Sequence, residues 1–274
     1  MKLQLLQELW PFFLAFVFLS VILVTTQRQY IYHPRSYSPA EYEQSKFTNI
    51  IKYTMGNHQQ QAFFYSPLPS PKNILIICGG NASLALDWLY FVKHLPEKHL
   101  GVLLIDYPGY GNNKGYPSQK HNKDSVIHAY NALKSQLGYA PNLHLLGHSL
   151  GSAVATDAAT SLVPKSLILL SPFTSIYAMA KRVISPPWAW LLQSFLWDRY
   201  NTEQTLDELA STIPSLDVYI LHGDKDSVVP VSMGRALYKK HKDWIKYTEI
   251  ADVDHQLPYE SSKEVYNIIH QAIS

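Results

Sequence analysis

Cysteine is almost absent: Cys78 is the only one in 274 residues, so no intramolecular disulfide can staple the chain and the redox compartment is left open. At the end of an apolar run, it reads as a small buried thiol rather than a reactive one. Charge is scarce and balanced, 16% of residues with Lys+Arg 23 against Asp+Glu 21, which leaves no basic excess to neutralise a phosphate backbone. Nucleic acid is therefore not an expected partner. The 12 histidines are scattered, and no His/Cys/Asp/Glu spacing suggests a zinc or iron site, so no metal is expected. What remains is a 47% hydrophobic chain whose length suits one large α/β domain with a substantial core.

Leu9 to Thr26 contains no charged residue and is rich in Leu, Phe and Val, roughly 18 to 20 residues of membrane-compatible helix. A cleaved signal peptide is the rival reading, but its basic region would be Lys2 alone, opposed by Glu8, and no clear small-x-small cleavage site follows. A buried core helix is disfavoured because the segment is apolar on every face and lies outside the pattern of the domain that follows. The expectation is an uncleaved single-pass anchor over residues 1–27 and a linker over 28–46, holding Pro34, Pro39 and several Tyr and Ser. The catalytic domain then occupies 47–274. Arg28, Arg35 and Lys46 after the segment, against Lys2 before it, give a modest bias toward a cytoplasmic domain.

Strand-like stretches at Ile50–Met55 and Gln61–Tyr65 precede apolar runs at Asn73–Cys78, Val102–Tyr107, Leu143–Gly147, Ser166–Ser171, Val218–His222 and Tyr247–Ile250. Segments of helical periodicity separate them, near Leu84–His94, Lys123–Leu137, Leu150–Ser161, Val231–His241 and Ser262–Ala272. Near-continuously apolar strands alternating with helices predict a mostly parallel sheet covered on both faces. Ser175–Tyr200, with Pro186, Pro187, Trp188, Trp190 and Trp197, interrupts that rhythm. It reads either as a small lid over the crevice at the carboxyl ends of the strands or as ordinary helix packing.

The run Leu143–Leu146 leads into Gly147-His148-Ser149-Leu150-Gly151, and a helix-like run opens at Leu150. A serine on a tight strand-to-helix turn sits in a strained backbone that flanking glycines make sterically possible, and it meets the positive end of a helix dipole. Ser149 is the candidate nucleophile, and His148 a packing residue. A serine hydroxyl needs a base, and the base needs a carboxylate to fix its tautomer. After Ser149, the strand ending at His222 leads to Asp224 and Asp226; Asp226 is the candidate acid, with Asp224 the competitor that a turn beside Gly223 would employ. His255, in the loop after the last strand, is the candidate base; His222, His241 and His270 lie in a strand or helical patterns. For the oxyanion, the backbone amides of Leu150 and of Asn81, in the loop Gly79-Gly80-Asn81-Ala82, are the candidate donors. Asn81-Ala82-Ser83 also matches a glycosylation acceptor, but a glycan there would block the same pocket, and the match is read as accidental.

These residues resemble the α/β-hydrolase superfamily, and more narrowly the abhydrolase-domain serine hydrolases with an N-terminal membrane anchor. Asp106-Tyr107-Pro108-Gly109-Tyr110-Gly111 through Pro117-Ser118 is similar to that group's segment after the fourth strand, and Ser171-Pro172-Phe173 and Trp197-Asp198-Arg199-Tyr200 are similar to its later landmarks. Two positions depart from the pattern: Gly79 where the family usually has His, and Asp254 where it usually has Gly. The resemblance implies hydrolysis of an ester or thioester through an acyl-enzyme, without a cofactor; a lipid-derived substrate would suit a tethered site. A serine peptidase or amidase and a hydrolase-fold protein that binds without turnover are the alternatives, the latter disfavoured by the intact Ser149, Asp226 and His255.

Overall fold

A computed structural model describes residues 2–96 and 99–274. Its centre is an eight-stranded sheet of order β1-β2-β4-β3-β5-β6-β7-β8. The strands are β1 (Asn49–Met55), β2 (His58–Tyr65), β3 (Asn73–Cys78), β4 (Leu100–Ile105), β5 (Asn142–His148), β6 (Ser166–Leu170), β7 (Asp217–Gly223) and β8 (Ile245–Ile250). β2 runs antiparallel to β1 and β4, and every other pairing is parallel. The expected strands are thus all present, β3 with both ends as expected and the others with ends shifted by at most three residues.

The helices in chain order are α1 (Lys2–Ile31), α2 (Pro39–Tyr42), α3 (Leu89–Lys93), α4 (Gln119–Leu137), α5 (Leu150–Leu162), α6 (Ile176–Ala180), α7 (Pro186–Phe195), α8 (Thr202–Thr212), α9 (Val231–Lys240), α10 (Leu257–Glu260) and α11 (Ser262–Ile273). β3 shows why a continuously apolar strand is required. Ile74, Ile76 and Cys78 enter the core shared with α4, α5, α8 and α9, while Leu75 and Ile77 enter the opposite core with Trp88, Phe91 and α11. A period of two with both faces buried leaves no polar position in the strand after the half-buried Asn73 at its start. The Leu84–His94 segment is a 3-10 turn over Ala85–Trp88 followed by α3 rather than one helix. α8 lacks an expected counterpart, and Ser175–Tyr200 holds α6 and α7.

α1 extends four residues beyond position 27, to Ile31, and its Phe13–Ile31 stretch is long and apolar enough to cross a membrane, with 6% of it buried. The chain that follows lies on the domain: Tyr32 is buried against Tyr200, Arg35 pairs with Glu41 and Asp87, and the Tyr37 hydroxyl donates to the Asp106 carboxylate at 2.7 Å.

One close approach carries the sheet into the site. A Cβ on Gly151 would overlap the carbonyls of Cys78 and Gly79, and one on Gly147 would overlap the Gly151 backbone, so the first turn of α5 rests directly on the end of β3. Gly151→Ala should cost about 3 kcal/mol or prevent folding; thermal denaturation followed by circular dichroism reads the loss, and an unshifted melting temperature would contradict the contact.

β5 also buries two imidazoles. Burial, with the charge of Lys165, pulls His144 down to about 4, and burial, with the charge of His255, pulls His148 to about 4 as well. Unfolded, each takes up a proton near pH 6.5, so the stability they contribute is complete above that pH and drains as pH falls toward 4. Asp106 opposes them: burial raises its carboxyl to about 6 against hydrogen bonds from the Ala85 amide and Tyr37, so it weakens the fold as pH rises from about 4 to about 6. Two imidazoles against one carboxyl should lower the melting temperature between pH 6.5 and 4, and His144→Asn should flatten that slope.

Candidate active site

β5 ends in the turn read as a nucleophile elbow. Ser149 has φ 54° and ψ −117°, a strained conformation for a residue with a side chain, of a kind that costs on the order of 1–3 kcal/mol. Two backbone bonds hold it: the Ser149 amide donates to the Leu170 carbonyl at 2.9 Å, and the Ser152 amide donates to the Ser149 carbonyl at 3.0 Å. The hydroxyl thereby stands at the start of α5 and on the wall of a cavity of about 330 Å³ that His148, Gly80, Asn81, Trp88, Val228 and His255 also line.

The loops after β7 and β8 meet beside it. Asp226 Oδ1 accepts from the amides of Val228 at 3.0 Å and Val229 at 2.7 Å, while Oδ2 faces His255 Nδ1 at 2.8 Å. His222 Nε2 approaches the same oxygen at 3.4 Å. Burial alone would raise the Asp226 pKa, but the hydrogen bonds from His222 and His255 and the charge of His255 outweigh it and hold the carboxyl well below the usual range. An ionised Asp226 only accepts, so His255 Nδ1 carries the proton and Nε2 is left with its lone pair. Asp224 does not join this pair: its amide donates to the Ile250 carbonyl and its Oδ1 accepts from the Asp252 amide, both closing the turn.

Two residues outside the expected site support the imidazole. His148, read from sequence as packing, sets its ring 4.9 Å from that of His255, tilted by 40°, and donates from Nε2 to the His255 carbonyl at 2.9 Å. Asp254, the departure from the family's glycine, accepts from the Ser227 amide and hydroxyl and from the His255 amide at 2.7 Å, so one carboxylate pins the acid loop to the base loop. The signal for Asp254 was its position beside His255; for His148 the sequence offered none beyond adjacency.

The loop after β3 holds the other departure. A Cβ on Gly79 would lie 3.1 Å from Ser83 Oγ and 3.2 Å from Trp88 Nε1, which are hydrogen bonded to each other at 3.2 Å. The space of the family's histidine side chain is occupied here by this Ser–Trp pair. The side chain of Asn81 is engaged with the protein itself. Its Oδ1 accepts from the His33 amide at 2.9 Å and the Tyr110 hydroxyl at 2.8 Å, and its Nδ2 donates to the Ile31 carbonyl at 2.8 Å. Next to it, Ala82 is at φ 61° and its carbonyl accepts from Arg35 Nε at 2.9 Å. The loop carrying the Asn81 amide is thus held in shape by the chain between Ile31 and Arg35. Leu150, the other expected donor, is buried at the first position of α5. Cys78 is buried, and burial pushes its thiol up to about 12, which makes it a poor nucleophile. Among the described residues, no group of His, Cys, Asp and Glu is arranged to hold a metal ion.

Comparison with known proteins agrees with this architecture. The family model described as the alpha/beta hydrolase fold matches residues 72–190. An uncharacterized protein of Mycobacterium tuberculosis is 30% identical over 185 residues, 67% of this chain and 63% of that protein. The lysophosphatidylserine lipase ABHD12 of Macaca fascicularis is 31% identical over 196 residues, 66% of this chain and 48% of that one. The chain therefore spans less than two thirds of the length of these curated relatives. Among solved structures, a Pyrococcus furiosus esterase superposes with a TM-score of 0.66 at 15% identity, covering 89% of this chain and 97% of that one. A membrane phospholipase A described as a bacterial virulence factor superposes with a TM-score of 0.57 at 17% identity over 100% of this chain and 98% of that one. With sheet order, elbow and sequence match in agreement, the chain has the alpha/beta hydrolase fold.

Proposed function

We propose that the protein is a serine hydrolase that cleaves a carboxylic ester or thioester through an acyl-enzyme. The observation that carries this reading is the 2.8 Å contact of His255 Nδ1 with Asp226 Oδ2 at the wall of the cavity that Ser149 also lines. Ser149 Oγ attacks the acyl carbonyl carbon while His255 Nε2 takes its proton. The carbonyl oxygen becomes an oxyanion facing the amides of Leu150 and Asn81. Asp226 keeps the imidazole in the required tautomer and stabilises the imidazolium. The leaving alkoxide or thiolate collects the proton from His255, and water repeats the sequence on the acyl-enzyme to release the acid and regenerate Ser149. No external oxidant or cofactor enters these steps.

Two observations favour a lipid-derived acyl group: the apolar helix that begins the chain and the relatives named as lipases. In this reading residues 1–27 are the single-pass anchor, 28–46 the connection and 47–274 the hydrolase domain, with residues 31–35 of the connection also shaping the oxyanion loop.

Fluorophosphonate labelling of the full chain tests the proposal. Label should sit on Ser149 and vanish in Ser149→Ala, with turnover of p-nitrophenyl and thioesters lowered by about 10^4-fold or more; retained hydrolysis in a folded Ser149→Ala protein would refute it. Asp226→Asn should lower kcat by about 10^4-fold while Asp224→Asn leaves it within a few-fold of wild type. For the oxyanion loop, Arg35→Ala should lower kcat by about ten- to a hundredfold with little change in KM, because a misplaced donor is felt in the transition state. Unchanged kcat in steady-state assays would remove Arg35 from that role.

A further inference from the structure

We infer that α7 is a membrane-embedded element, lying within the hydrocarbon of the same bilayer that α1 crosses; this rests on the anchor reading of α1. The two helices share a depth, fixed at two points. Gln27 of α1 donates from Nε2 to the Phe195 carbonyl at 3.1 Å and accepts from the Trp197 amide at 2.9 Å, which fixes the carboxyl end of α7 beside Gln27. Toward its other end, α7 stacks Trp188 on Phe16 with ring centroids 4.7 Å apart. Phe16 and Gln27 are separated by about 16 Å along a helix axis, half of the ~30 Å hydrocarbon thickness. A helix that accompanies α1 over this distance cannot stand in water while α1 stands in lipid.

The residues around this contact agree. Arg28 pairs with the Asp198 carboxylate at 2.8 Å and lies over the rings of Trp197 and Tyr116, 5.4 and 5.6 Å away. Charge and aromatic rings at one level form the kind of belt that marks the membrane–water boundary, and α7 extends from that level toward the amino end of α1. From Pro186 to Phe195 the sequence holds no charged residue, yet Trp190 is 71% and Phe195 52% exposed. In water that would be an uncovered aromatic face; in hydrocarbon it has a solvent. The groups a helix leaves unpaired lie at its ends, and α7 opens with Pro186 and Pro187, where amide donors are not needed, while its Phe195 carbonyl accepts from Gln27. Arg182 Nη1, on the turn before α7, reaches the Val228 carbonyl at 3.4 Å, and Val228 lines the Ser149 cavity, so α7 is tied to the border of that cavity.

Fluorescence of the full chain in phosphatidylcholine vesicles decides the matter, with acyl chains either brominated or plain. The contribution of Trp190 is the difference between wild type and Trp190→Phe, a swap at an exposed ring that should leave folding intact. It is expected to lose most of its intensity in the brominated vesicles. Trp10, isolated in the same way through Trp10→Phe, reports α1. Quenching of Trp10 with Trp190 undimmed would overturn the inference and leave the α7 face to water or to a second copy of the chain. If neither were quenched, the anchor reading itself would fall, and this inference with it.

Discussion

The first turn of α5 lies on the carbonyls of Cys78 and Gly79 with no atom to spare, and most of the site is referred to that contact. It sets the height of Ser149 above the sheet, because β5 and β3 pair in parallel with Gly147 opposite Cys78. It also places the loop after β3 beside the nucleophile: a Cβ on Gly80 would lie 3.5 Å from that of Ser149. A side chain at either contact glycine would separate two loops whose value is their proximity. The strained backbone of Ser149 persists because strand pairing below and helix packing above leave it no other course.

Around this fixed point the remaining groups arrive on loops that bond to one another more than to the sheet. Asp254 joins the acid loop to the base loop, and His148 joins the elbow to the base loop. The imidazole of His255 is oriented by Asp226 at one nitrogen and anchored at its own backbone on both sides. Such cross-bracing suits the general-base role proposed for His255, whose usefulness would depend on direction as much as on proton affinity.

Much of this was legible in the residues. Strands buried on both faces must be near-continuously apolar, and β3 to β7 are; a serine between glycines at a strand-to-helix junction announces its own geometry; of the two histidines after β8, His270 lies in a helical pattern, which leaves His255. The choice of Asp226 over Asp224 was legible too, since a carboxylate next to Gly223 closes the turn. The features without a sequence signature share a physical cause. The docking of Tyr32, Arg35 and Tyr37 depends on single long-range hydrogen bonds and ion pairs, which leave no periodic trace. α8 was hidden because its polar face dominates its composition and only Thr202, Leu206 and Leu209 are buried. Trp88 and Ser83 filling the space of an absent histidine side chain could be seen only with the side chains in place.

The Asn81 side chain donates to the carbonyl of Ile31, the last residue of α1, while its backbone belongs to the loop over Ser149. The end of α1 and the wall of the cavity are therefore one fastening. For anyone building with this domain, the seam does not lie where the sequence turns polar, after Thr26: a portable version has to take the chain from Ile31 onward, and a different leading helix grafted before it has to leave the Ile31 carbonyl at that same point.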